Sequence, residues 1–139
     1  ADPLFSPHSF TTPVPALGDS YGGGYLICKA SPTRWVVAPS GAEVQRSFNN
    51  NSDAATRAQE VSGCTGWFTP SISQLQNPGY TCRTHWDSYT SDWYWSSSAQ
   101  HSDRAYCLNM SNGSTSLGSP DQNNRNDTRR IRAFRTVTY

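Results

Sequence analysis

"WYWSSSAQHSDRAYCLNMSNG", residues 93–113, is the stretch on which the fold turns. On an extended strand side chains alternate between faces, so Trp93 and Trp95 share one face while Tyr94 and Ser96 take the other. A large aromatic residue in a strand usually supplies buried area. Trp95 is therefore expected in a core rather than against a ligand. The three serines also point to alternate faces, and only one or two of them could meet a base such as His101 with Asp103 behind it. The segment lacks the strained G-x-S-x-G turn that exposes a nucleophilic serine, so hydrolase chemistry is not expected. Ala105 to Asn109 then alternates as a second strand, and "SNGS" closes it with a turn.

Composition narrows the function classes. The chain has 139 residues, enough for one domain, and a domain of about 150 residues buries roughly 70% of the surface its unfolded chain exposes. Charged residues are 15% of the total, and 11 Lys and Arg nearly balance 10 Asp and Glu. No strong field is left to draw nucleic acid or anionic lipid, which favours a neutral or protein partner. Five Trp, seven Tyr and five Phe supply core area that the few long aliphatic residues do not. Trp35, Trp67 and Phe134 are further core candidates. Nowhere do 18 apolar residues run together, so no membrane insertion is expected, and "ADPLFSPHSF" lacks the basic region and apolar run of a signal peptide. The chain as given is expected to be soluble. Export stays open, since a processed protein could begin at Ala1.

The chain divides into an arm and a body. Residues 1–24 carry Pro3, Pro7, Pro13 and Pro15 and end in "YGGGY", a composition that reads as an extended arm. Leu4, Phe5, Phe10 and Val14 give it apolar anchors for docking on a neighbouring subunit. The body, residues 25–139, opens with "YLICKA" and "RWVVAP", two strands joined by a tight turn. Ser52 or Asp53 then caps an Ala-rich helix that Gly63 stops. Thr69 or Ser71 caps a second, short helix with Ile72 and Leu75 on one face, ended by Asn77-Pro78-Gly79. Strand-like pieces recur at Tyr94 to Ser97, Ala105 to Asn109, Ser114 to Leu117 and Arg129 to Phe134. Short strands around two short helices make the fold class α+β.

Candidate chemistry is sparse. Cys28, Cys64, Cys82 and Cys107 form no C-x-x-C pair, which argues against zinc; three disulfide pairings and four buried thiols all stay open. His8, His85 and His101 are scattered. Asp87 with Asp92, or Glu43 with Glu60, could be drawn as glycosidase carboxylates, but the default is surface charge. Trp86 and Tyr89 sit in a polar segment and could form an exposed aromatic patch for a sugar ring or a protein. At the basic end, strand alternation puts Arg130, Arg132 and Phe134 on one face and Arg129, Ile131, Ala133 and Arg135 on the other. Internal or intersubunit pairing of these arginines with carboxylates is preferred to nucleic-acid binding.

The series "YLICKA", "WVVAPSGAEV", "DAATRAQEVSGCTGWFTPSISQLQ", "YWSSS", "AYCLNMSNGSTS" and "RRIRAFR" resembles bacterial and phage domains of a family of unknown function with a C-type-lectin-like fold. The match runs over about residues 25–135 and includes the family's helix before a W-x-x-P-[ST] element, here Trp67 to Ser71. In that family the Trp of "YWSS" packs inward, which implies Trp93 and Trp95 inside and Tyr94 towards a surface or a neighbouring layer. Such domains occur in virion proteins of phages, notably those infecting cyanobacteria. The resemblance implies a non-enzymatic virion structural protein without a cofactor, decorating a capsid, tail or fibre. Its arm would dock on other virion proteins and its body would contact a host-surface glycan. Trp86, Tyr89, Tyr94, Asn112, Asn123, Asn124 and Arg125 would then be the ligand or partner contacts. Calcium-binding lectins of this fold use an E-P-N or Q-P-D triplet with W-N-D, which this chain does not reproduce; Asp121, Asn123, Asn124 and Asp127 read as a solvated loop rather than a Ca²⁺ site. The related formylglycine-generating enzymes rely on a reactive cysteine pair in a cleft, which these isolated cysteines do not suggest. Two other readings share the fold class: a secreted or surface bacterial carbohydrate-binding module, and a retroelement-diversified ligand-binding protein varied at Asn-rich loops 109–112 and 122–126.

Overall fold

The computed structural model describes residues 15–30, 32–99, 105–116 and 129–138. Among them the chain forms β1 (Ser20–Tyr21), β2 (Gly24–Ala30), β3 (Thr33–Val37), β4 (Val44–Arg46), α1 (Asp53–Ser62) and α2 (Ile72–Gln74). These are followed by β5 (Trp93–Ala99), β6 (Ala105–Asn109), β7 (Thr115–Ser116), β8 (Arg129–Ile131) and β9 (Phe134–Thr138). The architecture is α+β, with one sheet in the order β1-β2-β3-β9 and a second in the order β4-β8-β5-β6-β7.

The expected hairpin forms, with Tyr25 opposite Val37 and Ala30 opposite Thr33. Its register shifts between Leu26 and Cys28, and the bulge lets the consecutive Leu26 and Ile27 both be fully buried. The sheet begins inside the stretch read as an arm. Gly22 and Gly23, at φ 58° and 87°, make the two-residue turn that pairs Ser20 with Tyr25 and Tyr21 with Gly24. A two-residue turn with positive φ at both central residues matches the strand twist, and glycine adopts it without strain. Leu4, Phe5, Phe10 and Val14 lie outside the described residues.

Helix α1 follows its expected bounds. Ala54 and Ala58, one turn apart, are its fully buried residues, and Gly63 ends it in the left-handed region at φ 73°, donating its N–H to the Gln59 carbonyl. Ser71 caps α2 by accepting from Gln74 N, while the Gln74 side chain accepts from Ser71 N, a complete capping box. The serines that follow Trp95 serve this junction. Ser98 Oγ accepts from Ile72 N at 2.9 Å, Ser97 N donates to the Pro70 carbonyl at 2.8 Å, and buried Ser96 donates to the Tyr106 carbonyl at 2.7 Å.

Two apolar clusters fill the interior. One joins Trp95, Trp67, Phe48, Val44, Ile131 and Cys107 to Ala54 and Ala58 of α1. The other joins Phe134, Trp86, Tyr94, Leu75, Ile27 and Leu108. Trp67, Trp95 and Phe134 are buried as expected, and half-buried Trp93 and Trp35 pack against the clusters from their rims. Tyr94 departs from expectation, for it is as inaccessible as Trp95. Strand β5 lies inside its sheet between β8 and β6, with one cluster on each face, and a strand buried on both faces has no outward side.

The basic end is two strands rather than one. Arg129–Ile131 pairs with β4 in the second sheet, whereas Phe134–Thr138 pairs with β3 in the first. Arg132 and Ala133 carry the chain between the sheets, with Ala133 O accepting from Ala38 N at 2.9 Å and Phe134 exchanging both backbone hydrogen bonds with Phe68. This crossing breaks the single alternation expected from Arg129 to Arg135.

Candidate functional site

The crossing places a guanidinium in the interior, and the polar side chains of three segments gather on it. The Arg132 side chain is 1% exposed. Its Nε donates to Glu43 Oε1 at 3.2 Å, and its Nη1 to Asp87 Oδ1 at 3.1 Å and the Ala38 carbonyl at 2.8 Å. Its Nη2 donates to the Ser88 carbonyl, and the guanidinium lies 5.1 Å from the Trp86 ring centre. Arg130 donates to Glu43 Oε2 at 3.0 Å, and Tyr94 donates its hydroxyl to Glu43 Oε1. Asp87 also accepts from Ser40 N at 2.7 Å, and the Tyr94 hydroxyl accepts from Thr90 N at 3.0 Å. The network therefore ties residues 38–43 and 86–92 to the β8–β9 crossing. Each charge is paired and hydrogen-bonded, as an interior site requires.

The expected pairing of Arg130 and Arg132 with carboxylates is thus internal. Glu43 and Asp87 are corrected from surface charges to network members, with side chains 10% and 17% exposed. Neither suits a glycosidase pair, because both Glu43 oxygens already accept from donors of the fold. Asp87 is held below its ordinary pKa: burial opposes this, but the Ser40 N–H and the Arg132 guanidinium outweigh it.

The Tyr94 phenol is pushed up to about 12, first by burial and then by its hydrogen bond to Glu43. The unfolded chain releases this proton near pH 10 and the folded chain keeps it, so folding is favoured fully below pH 10 and the contribution disappears as pH rises from 10 to 12. Two pKa units correspond to at most about 3 kcal/mol. Denaturant melts at intervals from pH 9 to pH 12 should show the native chain losing stability faster than Tyr94→Phe, whereas parallel profiles would contradict the assignment.

The network removes two residues from the candidate contact surface. Trp86 is 6% exposed, and its ring meets those of Tyr94 at 6.1 Å and Phe134 at 5.8 Å. Trp86 and Tyr94 are therefore core residues, not an aromatic platform. Tyr89 stays 36% exposed, edge-on to Trp86 at 6.1 Å. Asn112 belongs to another loop, the β6–β7 turn, where its side chain accepts from Ser114 N and Ser114 Oγ. It is exposed there, beside Gly113, which sits against the Tyr80 ring. Asn123, Asn124 and Arg125 lie outside the described residues, as do Asp121 and Asp127.

A groove that the sequence reading missed runs between β4 and α1. It has a volume of about 550 Å³ and is lined in part by Glu43, Arg46, Asp53, Arg57 and Glu60. Arg46 Nε bonds Asp53 Oδ2 across the β4–α1 junction at 3.1 Å, with both side chains half exposed. The i, i+3 spacing of Arg57 and Glu60 was the legible signal for one wall, but nothing local marks Arg46 as the other.

Among the described residues no cluster of His, Cys, Asp and Glu is placed to hold a metal, and no helix is long and apolar enough to cross a membrane. No protein-family model matches the chain, and no curated protein matches it.

Proposed function

We propose that the chain is a non-enzymatic structural protein of a bacteriophage particle, a C-type-lectin-like module that decorates the virion and presents loops to the host surface. The observation that carries the non-enzymatic part is the Arg132 network. The Arg132, Glu43, Asp87 and Tyr94 side chains are engaged with one another and with backbone groups and hold loops in place, so none of the four is left to act as a base or nucleophile. The virion assignment is supported by the ordered sequence resemblance. The two-sheet α+β architecture, with its helices between β4 and β5, is compatible with it. The described chain enters and leaves by the first sheet, whereas residues 100–104 and 117–128 connect strands of the second. In this reading the first sheet faces the particle.

Cosedimentation tests the proposal. The purified full chain is mixed with phage particles lacking it and, separately, with host cells. Binding to particles is the expected result. Binding to cells alone would overturn the virion role in favour of a surface sugar-binding module, and Tyr89→Ser, which leaves the Trp86 core in place, would then be the first variant to compare.

A further inference from the structure

Two of the four cysteines meet in the fold. Cys28 lies on β2 opposite Trp35, and Cys82 begins the single helical turn Arg83–His85, which packs against β2. Both side chains pack half-buried against the cluster of Phe134 and Trp86, from two elements that are in direct contact. The other two lie elsewhere. Cys107 is fully buried in the opposite cluster, and Cys64 adjoins Gly23 and Ser62 beyond the end of α1.

We infer that Cys28 and Cys82 close to an intramolecular disulfide on meeting a small-molecule disulfide such as oxidised glutathione, while Cys64 and Cys107 stay thiols. One cysteine, as its thiolate, attacks the external disulfide, breaks its S–S bond and releases one small thiol. The second cysteine attacks the resulting mixed disulfide, the Cys28–Cys82 bond forms and the second small thiol leaves. Two electrons pass to the external disulfide, and the two protein protons end on the released thiols. Burial, and then the neighbouring Cys82, push the Cys28 thiol above its ordinary range, so the exchange quickens with rising pH. The bond would staple residues 82–92, whose regular structure is one helical turn, to β2. That segment carries Trp86, Asp87 and Tyr89, so the staple would set the rigidity of the only strongly exposed aromatic loop described. The inference stands independently of the virion proposal.

Trypsin leaves Cys64 and Cys82 on one peptide, residues 58–83, so the mapping is done on folded Cys64→Ser chain. It is incubated with oxidised glutathione at about pH 8.5, near the ordinary thiol pKa, alkylated, digested and read by mass spectrometry. The expected result is a peptide pair joining residues 1–29 to 58–83 and an intact mass lower by about 2 Da, with Tm raised by about 10 °C and restored by reductant. Cys28→Ala and Cys82→Ala, checked for native circular dichroism, should instead hold one glutathione on the remaining partner. In the unmutated chain two thiols should survive the treatment. A folded chain that keeps all its thiols, or that links either residue to Cys107, would overturn the inference.

Discussion

Arg132→Met is expected to destabilise the chain by about 3–5 kcal/mol, the cost of stranding the partners of a buried ion. The methionine would fill the space, but the carboxylates of Glu43 and Asp87 and the carbonyls of Ala38 and Ser88 would each lose the hydrogen bond that Arg132 donates. Lysine would not rescue the site, because one ammonium cannot reproduce directed bonds to four acceptors on two segments. The coupling is testable as well. Glu43→Gln removes one of the stranded charges, so the double variant should be more stable than the sum of the two single losses requires. Urea melts of the native, single and double variants provide the measurement. A loss below about 1 kcal/mol, in the range of an exposed ion pair, would mean that Arg132 is not the tie between the sheets.

Trp95→Ala should cost a similar amount, about 3–5 kcal/mol, for a different reason. Trp95 is fully buried, meets Phe48 edge-on at 5.7 Å and carries the Arg129 guanidinium 5.3 Å from its ring centre. Truncation removes apolar area from the centre of one cluster and leaves a cavity that β5, paired on both sides, cannot close by moving. Trp93→Ala is the matched comparison. It has the same residue type, strand and alternation face but is only half-buried, and about half the loss or less is expected. Equal losses at the two positions would contradict the difference in burial between them.

Much of the fold was legible because it is encoded locally. The β2–β3 hairpin announces itself by β-branched and aromatic runs, α1 by its alanines and Gly63, α2 by a cap at Ser71 with Ile72 and Leu75 on one face, and β6 by alternation from Ala105 to Asn109. What failed depended on contacts distant in sequence. Alternation assigns Tyr94 an outward side only if β5 has one, and burial of both faces depends on β8, which arrives 36 positions later in register with it. Trp86 looked exposed because its neighbours are polar, yet the Asp87 carboxylate serves to hold Arg132. The switch between sheets at Arg132 and Ala133 carries neither proline nor glycine, so a period of two ran through it unbroken. The glycine run before Tyr25 has the composition of a linker and the geometry of a hairpin turn, and only the pairing partner distinguishes them. The Cys28–Cys82 pairing was open for the same reason, since four cysteines allow three connectivities and spacing selects none.

The proposed role is tested most directly by quantitative mass spectrometry of purified phage particles, using isotope-labelled peptides of this chain beside those of the major capsid protein. A particle component should be present at a fixed copy number that survives density-gradient purification and a high-salt wash. A chain that is absent from the particles, or whose amount varies between preparations and falls away in salt, would contradict the account.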